Sequence, residues 1–399
     1  MPERCCPLAL AVAVVAGLAL LGAGCAHRPP SPVPEAALEI VPDDRWPRLD
    51  DDLDGASLAA ACEPSFAYLE RLPADRVLRF GPVERRADEL ARGVRRACAV
   101  LGAAVDPDER TARLRDEFLL LRSVGRDGRG EVLFTGYYEP LLEARRAPEG
   151  GFVHPVFGVP DDLVTVELAD FGVAGSPPRL VGRVEERSLR PYPDRETIDF
   201  GAGLAPSTEV LGWVDDPVDL FFLHVQGSGT LVFPDGARLR AGYAVTNGQP
   251  YRSIGRLLLD DGLVSPEAMS MQAIRAYLAA NPDELKRVLA FNPSYVFFRP
   301  LPAVGGPLGC YGEPVTAGRS IATDRALFPA PILAWVRGSV PAVDGGEAPF
   351  ARFVLNQDTG GSIRGPGRVD LFFGQGDEAG ELAGRTKHSG ELYFLVPRR

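Results

Sequence analysis

Asn356-Gln-Asp-Thr-Gly-Gly-Ser-Ile-Arg-Gly-Pro-Gly-Arg-Val-Asp-Leu-Phe-Phe-Gly-Gln-Gly376 places two aspartates, Asp358 and Asp370, on either side of a glycine-rich turn. Val369, Leu371, Phe372 and Phe373 make the second flank a buried strand. A carboxylate beside such a strand sits near low dielectric, which raises its pKa toward the range of a general acid. Asp358 before Thr-Gly-Gly equally suits an Asx turn, in which the side chain bonds backbone. From these residues alone both readings stand: turn chemistry at Asp358 with a strand-edge residue at Asp370, or an acid pair at a site.

The surrounding composition favours a turn-rich, mainly β protein. The chain has 399 residues, enough for two domains, with 45% hydrophobic and 24% charged residues. Gly 44 and Pro 37 are both high, and most apolar runs are short. A formal net charge of -11 disfavours a nucleic-acid partner.

Residues 1–25 read as an export signal, with Arg4 as a weak basic start and an unbroken apolar run from Leu8 to Leu21. That run is short for a spanning helix. Leu21-Gly-Ala-Gly-Cys25 resembles a bacterial lipobox, with Gly22 where leucine is commonest, so Cys25 is the expected lipidation site. Simple cleavage of a secreted protein is the alternative. Residues 26–45 are proline-rich and polar, a tether from the membrane. Lipidation without an aspartate after Cys25 predicts an outer-membrane lipoprotein facing the periplasm. Cys62, Cys98 and Cys310 remain in the mature chain, and an exported compartment permits a disulfide. Cys62 and Cys98 are the expected pair. No Cys-x-x-Cys spacing occurs and histidine is scarce, so no zinc site, other metal or cofactor is expected.

Along the chain, helices are expected from about Asp50 to Ala61, Val83 to Val100 and Pro107 to Val124. Leu114, Phe118 and Leu121 would share one face of the third. From Gly130 the pattern turns to strands, beginning with Glu131 to Pro140 and including Leu220 to Gly229. Helices return at Ser253–Asp261, at Ser265–Ala280 with Ser265 as N-cap, and at Pro282–Ala290. Strands resume at Tyr295.

No serine-hydrolase elbow, His-Glu-x-x-His, dinucleotide or P-loop motif is present. Carboxylates, amides and aromatics set in turns remain, the equipment of a carbohydrate site. Taken singly, Tyr137, Tyr138 and Tyr243 read as ordinary strand packing.

Together, several stretches resemble the MltA family, the membrane-bound lytic murein transglycosylases A. They are Phe134-Thr-Gly-Tyr-Tyr-Glu-Pro140, Val225-Gln-Gly-Ser-Gly229, Asn247-Gly-Gln-Pro-Tyr-Arg-Ser-Ile-Gly255, Met269-Ser-Met-Gln-Ala-Ile274 and Asn292-Pro-Ser-Tyr-Val-Phe-Phe298. The tail resembles that family's "3D" region, whose three aspartates fall here on Asp324, Asp358 and Asp370. Cys310-Tyr-Gly-Glu-Pro314 departs from the family pattern near Asp324.

The resemblance implies a double-psi β-barrel with N-terminal helices. That barrel would be built from 46–137 and 292–399, with a β-rich domain of 138–291 inserted and a substrate groove between the two. It implies a peptidoglycan lytic exotransglycosylase, a murein lyase that leaves 1,6-anhydromuramic acid. Asp370 would be the catalytic acid, with Asp358 and Asp324 tuning it. Thr135, Gly136, Tyr137, Gln226, Gly227, Ser228 and Asn247 fall on motifs that line the groove. Glycan strands of peptidoglycan are the expected partner, and cell-wall synthesis proteins remain open as a class. A non-catalytic glycan-binding lipoprotein on the same barrel is the alternative. So is an inverting hydrolase, which needs a second carboxylate roughly 6.5–9.5 Å from the acid.

Overall fold

Val132 and Phe134 are buried while Leu133 and Thr135, alternating with them, are half-buried, the two-residue period of a strand with one face on a core. This strand, β1 (Val132–Glu139), belongs to a closed ring. The others are β2 (Ser320–Ala322), β3 (Leu333–Pro341), β4 (Glu347–Asp358), β5 (Arg368–Gln375) and β6 (Lys387–Pro397). The ring order is β6-β3-β4-β2-β5-β1, and β1 pairs back to β6. The β2–β4 and β5–β1 pairs are parallel and the rest antiparallel. A closed six-stranded barrel in a mainly β protein is the fold expected from the sequence. The structure, a computed structural model, describes residues 37–398 except 104–105, 174–177, 202–203, 205–206, 303–305 and 342–345. Cys25, the signal segment and the first part of the tether lie outside the described residues.

One core fills the barrel and continues under the N-terminal helices, from Leu58 and Leu90 to Trp335, Phe353, Leu371 and Phe394. Helices Gly55–Arg71 and Ala87–Gly102 pack together and are bridged by the Cys62–Cys98 disulfide, as expected. Arg319 locks the first helix to the barrel. Its side chain is 0% exposed, yet its guanidinium donates to Asp51 Oδ1 at 2.7 Å, Asp54 O at 2.8 Å, Ser57 Oγ at 3.0 Å and Phe353 O at 2.8 Å. A buried cation paired in this way is tolerable because its donors are satisfied.

Several expected boundaries move. The third helix is Pro107–Glu117 only, and Phe118–Ser123 is a strand paired to β6. Phe118, Leu120 and Leu121 are buried there, so the apolar run belongs to a strand covered on both faces and its spacing is not helical. Val83–Arg86 is likewise a strand, paired with Val77–Phe80, and the helix begins at Ala87. Pro217–Gln226 is a helix where a strand was expected. Asp216 caps it, Pro217 takes its first position, and Gly227 ends it at φ 79. Burial of five consecutive residues from Leu220 to His224 hides its helical period. Ser265 caps only a turn; the helix there is Met271–Ala280, capped by Ser270. Leu38–Ile40 pairs with Leu121–Ser123, so the tether expected over 26–45 gives way to a strand before residue 45.

Between the two runs that build the barrel, the described residues of 141–301 form smaller sheets and five α-helices. Four strands pair in the order Val296–Leu301, Arg238–Thr246, Ser228–Val232, Leu141–Glu143. Val296–Leu301, expected to reopen the barrel, therefore belongs to this sheet. Its Phe298 and Val296 join a core with Leu223, Leu231 and Ala241.

Candidate active site

β5 carries Asp370 directly opposite Thr135 of β1. Register partners project to the same face of a sheet, and the Thr135 hydroxyl donates to Asp370 Oδ1. Arg368, two residues earlier on the same face, lies 3.8 Å from that oxygen and 3.4 Å from the Thr135 hydroxyl. The Asp370 side chain is 18% exposed, enough for a substrate atom to reach it. Burial among protein atoms pushes the carboxyl up from 3.8 to about 6; the Arg368 guanidinium opposes this and the Asp358 charge adds to it.

Asp358 ends β4 and is also pushed up to about 6, by burial first. Its Oδ1 accepts the Thr359 N–H at 2.8 Å and the Cys310 N–H at 3.0 Å, the backbone bonding of the turn reading. Cys310 serves Asp358 through its backbone, which any residue other than proline would provide. Its thiol is pushed up to about 12, by burial and then by Asp358, so the unusual cysteine is not a thiolate. The Tyr137 hydroxyl is buried between the acids without a partner of good hydrogen-bonding geometry. Even so, it is close enough that burial and then Asp358 raise it well above the usual phenol range. Asp324 is placed differently. Its two oxygens accept the Ala326 N–H at 3.0 Å and the Gly365 N–H at 2.8 Å. It clamps the glycine-rich loop between Asp358 and Asp370 to the loop after β2.

A groove of about 440 Å³ is lined by Thr135 and Arg368, the two side chains beside Asp370, and by barrel and inserted segments alike; none of the three aspartates is among its lining residues. Thr135, Gly136 and Gln226 line it, whereas Tyr137, expected to do so, does not. Gly136 is required there: a Cβ would stand 2.6 Å from Ala383 Cα and 2.7 Å from Phe373 Cε2, where helix Gly376–Arg385 crosses β1. Gln226 Oε1 accepts the Tyr138 N–H at 3.2 Å and joins the inserted helix to β1. Gly227 ends the helix after Gln226 and Ser228 opens the next strand; neither lines the groove. Asn247 is also corrected. It is 0% exposed, donates to Pro193 O and Pro293 O at 2.9 Å each, and accepts the Tyr295 N–H at 2.9 Å. Its amide holds chain segments together and is closed to a ligand. Sequence reasoning missed Arg368, Tyr251, Arg256 and Lys387, which also line the groove. Arg368 was findable, since two-residue spacing puts it on the face of Asp370.

A carboxyl raised to about 6 next to the side chains that line an open groove, with a second buried carboxyl near it, is equipment suited to acid catalysis. Residues 133–299 match the model of the MltA specific insert domain, and residues 319–396 match that of the 3D domain. The membrane-bound lytic murein transglycosylase A of Vibrio cholerae is 35% identical over 280 residues, 68% of this chain and 67% of that protein. The Escherichia coli protein of the same name is 34% identical over 278 residues, with the same coverage of both chains. A crystal structure of the membrane-bound lytic murein transglycosylase from Agrobacterium tumefaciens superposes with a TM-score of 0.74 at 35% identity, covering 91% of this chain and 98% of that one. Escherichia coli MltA with bound chitohexaose gives 0.71 at 25% identity, covering 92% and 96%. This chain belongs to the membrane-bound lytic murein transglycosylase A (MltA) family.

Proposed function

We propose that this chain is a lytic transglycosylase of peptidoglycan in which Asp370 alone carries the proton. The observation behind this is a carboxyl held up to about 6 within reach of the groove. Protonated Asp370 donates to the glycosidic oxygen between N-acetylmuramic acid and N-acetylglucosamine, and the bond from C1 to that oxygen breaks. The resulting carboxylate takes the proton of the muramic C6 hydroxyl as O6 bonds to C1. A 1,6-anhydro ring forms, no water is consumed and the acid is restored. Closing the ring within one bound sugar gives a large entropic advantage over capturing water. Thr135 fixes the carboxyl's orientation, and Asp358 keeps its proton from leaving early. Asp324 acts through the loop it clamps.

An inverting hydrolase would need a second carboxylate facing the groove. The Asp358 Oδ1 is instead held by two backbone N–H groups, from Thr359 and Cys310. The test is digestion of purified murein sacculi with product masses. Anhydromuramic ends that vanish in Asp370→Asn support the reading; reducing muramic ends, one water heavier, refute it.

The chain is further read as a discontinuous barrel around an inserted domain, the second boundary falling after Leu301. Its relatives carry the words membrane-bound in their names. For this chain we place the anchor at Cys25, in the outer membrane. Cys25→Ser should release it to the soluble periplasmic fraction, and unchanged fractionation would refute the anchor.

A further inference from the structure

The charges around the groove run against those of the chain. Asp and Glu outnumber Lys and Arg by 54 to 43 overall, yet the groove lining contains Arg256, Arg368 and Lys387 and no Asp or Glu. Arg256 is matched outside the groove by Asp260, at 2.8 Å. The other two are not balanced in this way. Lys387 is exposed and forms no salt bridge among the described residues. Arg368 has a buried Nε with no partner, and its nearest carboxylate is Asp370, at 3.8 Å. Once Asp370 holds a proton, Arg368 faces no anion either.

Strand register aligns these cations with the acid. Thr135 is opposite Asp370 on one side and Lys387 on the other, and Arg368 lies two residues before Asp370. Asp370, Thr135 and Lys387 thus form one row across three strands on a single face. Two interstrand steps put the Lys387 backbone roughly 10 Å from that of Asp370. A sugar seated for protonation by Asp370 therefore has two cations near its acid, one along the same strand and one across the sheet.

We propose that Arg368 and Lys387 form a subsite for a carboxylate on the 3-O-lactyl branch of the muramic residue bound at Asp370. This rests on the transglycosylase reading and deepens it. The lactyl branch distinguishes muramic acid from N-acetylglucosamine. It ends in a carboxylate when bare and in a peptide with free carboxylates when substituted. Either source offers the same chemistry to an ammonium and a guanidinium. A carboxylate bound there would also screen Arg368 from Asp370 and favour the protonated acid. The subsite would thereby reward the correct sugar with a better-poised proton.

The experiment uses the full chain carrying Asp370→Asn, which binds without turnover and imitates the uncharged acid. Calorimetric titrations compare chitohexaose, which is neutral, with peptide-free muramyl glycan and with peptide-bearing murein fragments. Adding Lys387→Gln should lower affinity for at least one carboxylate-bearing ligand relative to chitohexaose by about 5-fold, and Lys387→Arg should restore it. Loss on peptide-free glycan assigns the lactyl carboxylate, and loss confined to peptide-bearing fragments assigns the peptide. Salt should weaken that ligand more than chitohexaose. Equal effects on all three ligands, or none, overturn the subsite. Product masses from the chain with Asp370 intact are measured in parallel. Absent anhydro ends sink the transglycosylase reading itself; anhydro ends with unaltered ligand preference in Lys387→Gln sink only the subsite.

Discussion

Asp370→Asn should do more than stop turnover: it should stabilise the protein, and only where Asp370 would be charged. In the native chain this carboxyl titrates at about 6, against 3.8 for a free aspartate. The unfolded chain therefore ionises first as pH rises, and the native state loses stability between those two values. The stabilising contribution of the neutral acid is complete below the lower value and gone above the higher. One pKa unit corresponds to about 1.4 kcal/mol, so the full penalty approaches about 3 kcal/mol. Part of it is already present at pH 4, where unfolded carboxyls are half-ionised. Asparagine does not titrate. Relative to the native chain, Asp370→Asn should gain on the order of 2–3 kcal/mol between pH 4 and pH 7.5. Relief of Asp358 from a neighbouring charge acts in the same direction. Pairing with Thr135 and local packing shift the variant equally at both pH values and cancel in the difference. Urea unfolding of both proteins at the two pH values measures it. A variant whose relative stability is unchanged across this range, or falls, would show that burial does not hold the acid neutral.

Turnover should fall as pH rises through about 6, because the proton donor is lost there; an activity plateau extending well above that value would argue against Asp370 as the acid. Arg319→Met should destabilise the chain by about 3–5 kcal/mol by leaving Asp51 buried without its partner, with urea midpoints as the readout; the double variant Arg319→Met, Asp51→Leu should recover part of it. Cys98→Ser opens a loop with a sequence separation of 36 and should cost about 4 kcal/mol. The melting temperature of the reduced native chain should match that of Cys98→Ser, and a variant as stable as the oxidised chain would contradict this.

Periodicity and turn chemistry made much of the fold legible. Val369 to Phe373 reads as a strand from its apolar run, and Ser253 announces the helix it caps. The same local rules failed where burial is complete. Leu220–Leu223 and Phe118–Leu121 are both short apolar runs, yet one is helix and the other strand. A segment covered on every side shows no period, so only Asp216-Pro217 and Gly227 distinguished the first, and nothing local distinguished the second.

The sequence by itself determined which groups could act: two aspartates flanking a glycine-rich turn, an arginine two residues before the second, and a threonine and glutamine in their motifs. It could not set their distances or burial, because those depend on strands far apart in the chain. Tertiary structure brought Thr135 to Asp370 across 235 residues, occupied Asn247 and Asp324 with backbone partners, and left Lys387 facing the groove. An aspartate becomes an acid at about pH 6 only when the folded chain removes water from around it, and that environment is assembled by closure of the barrel.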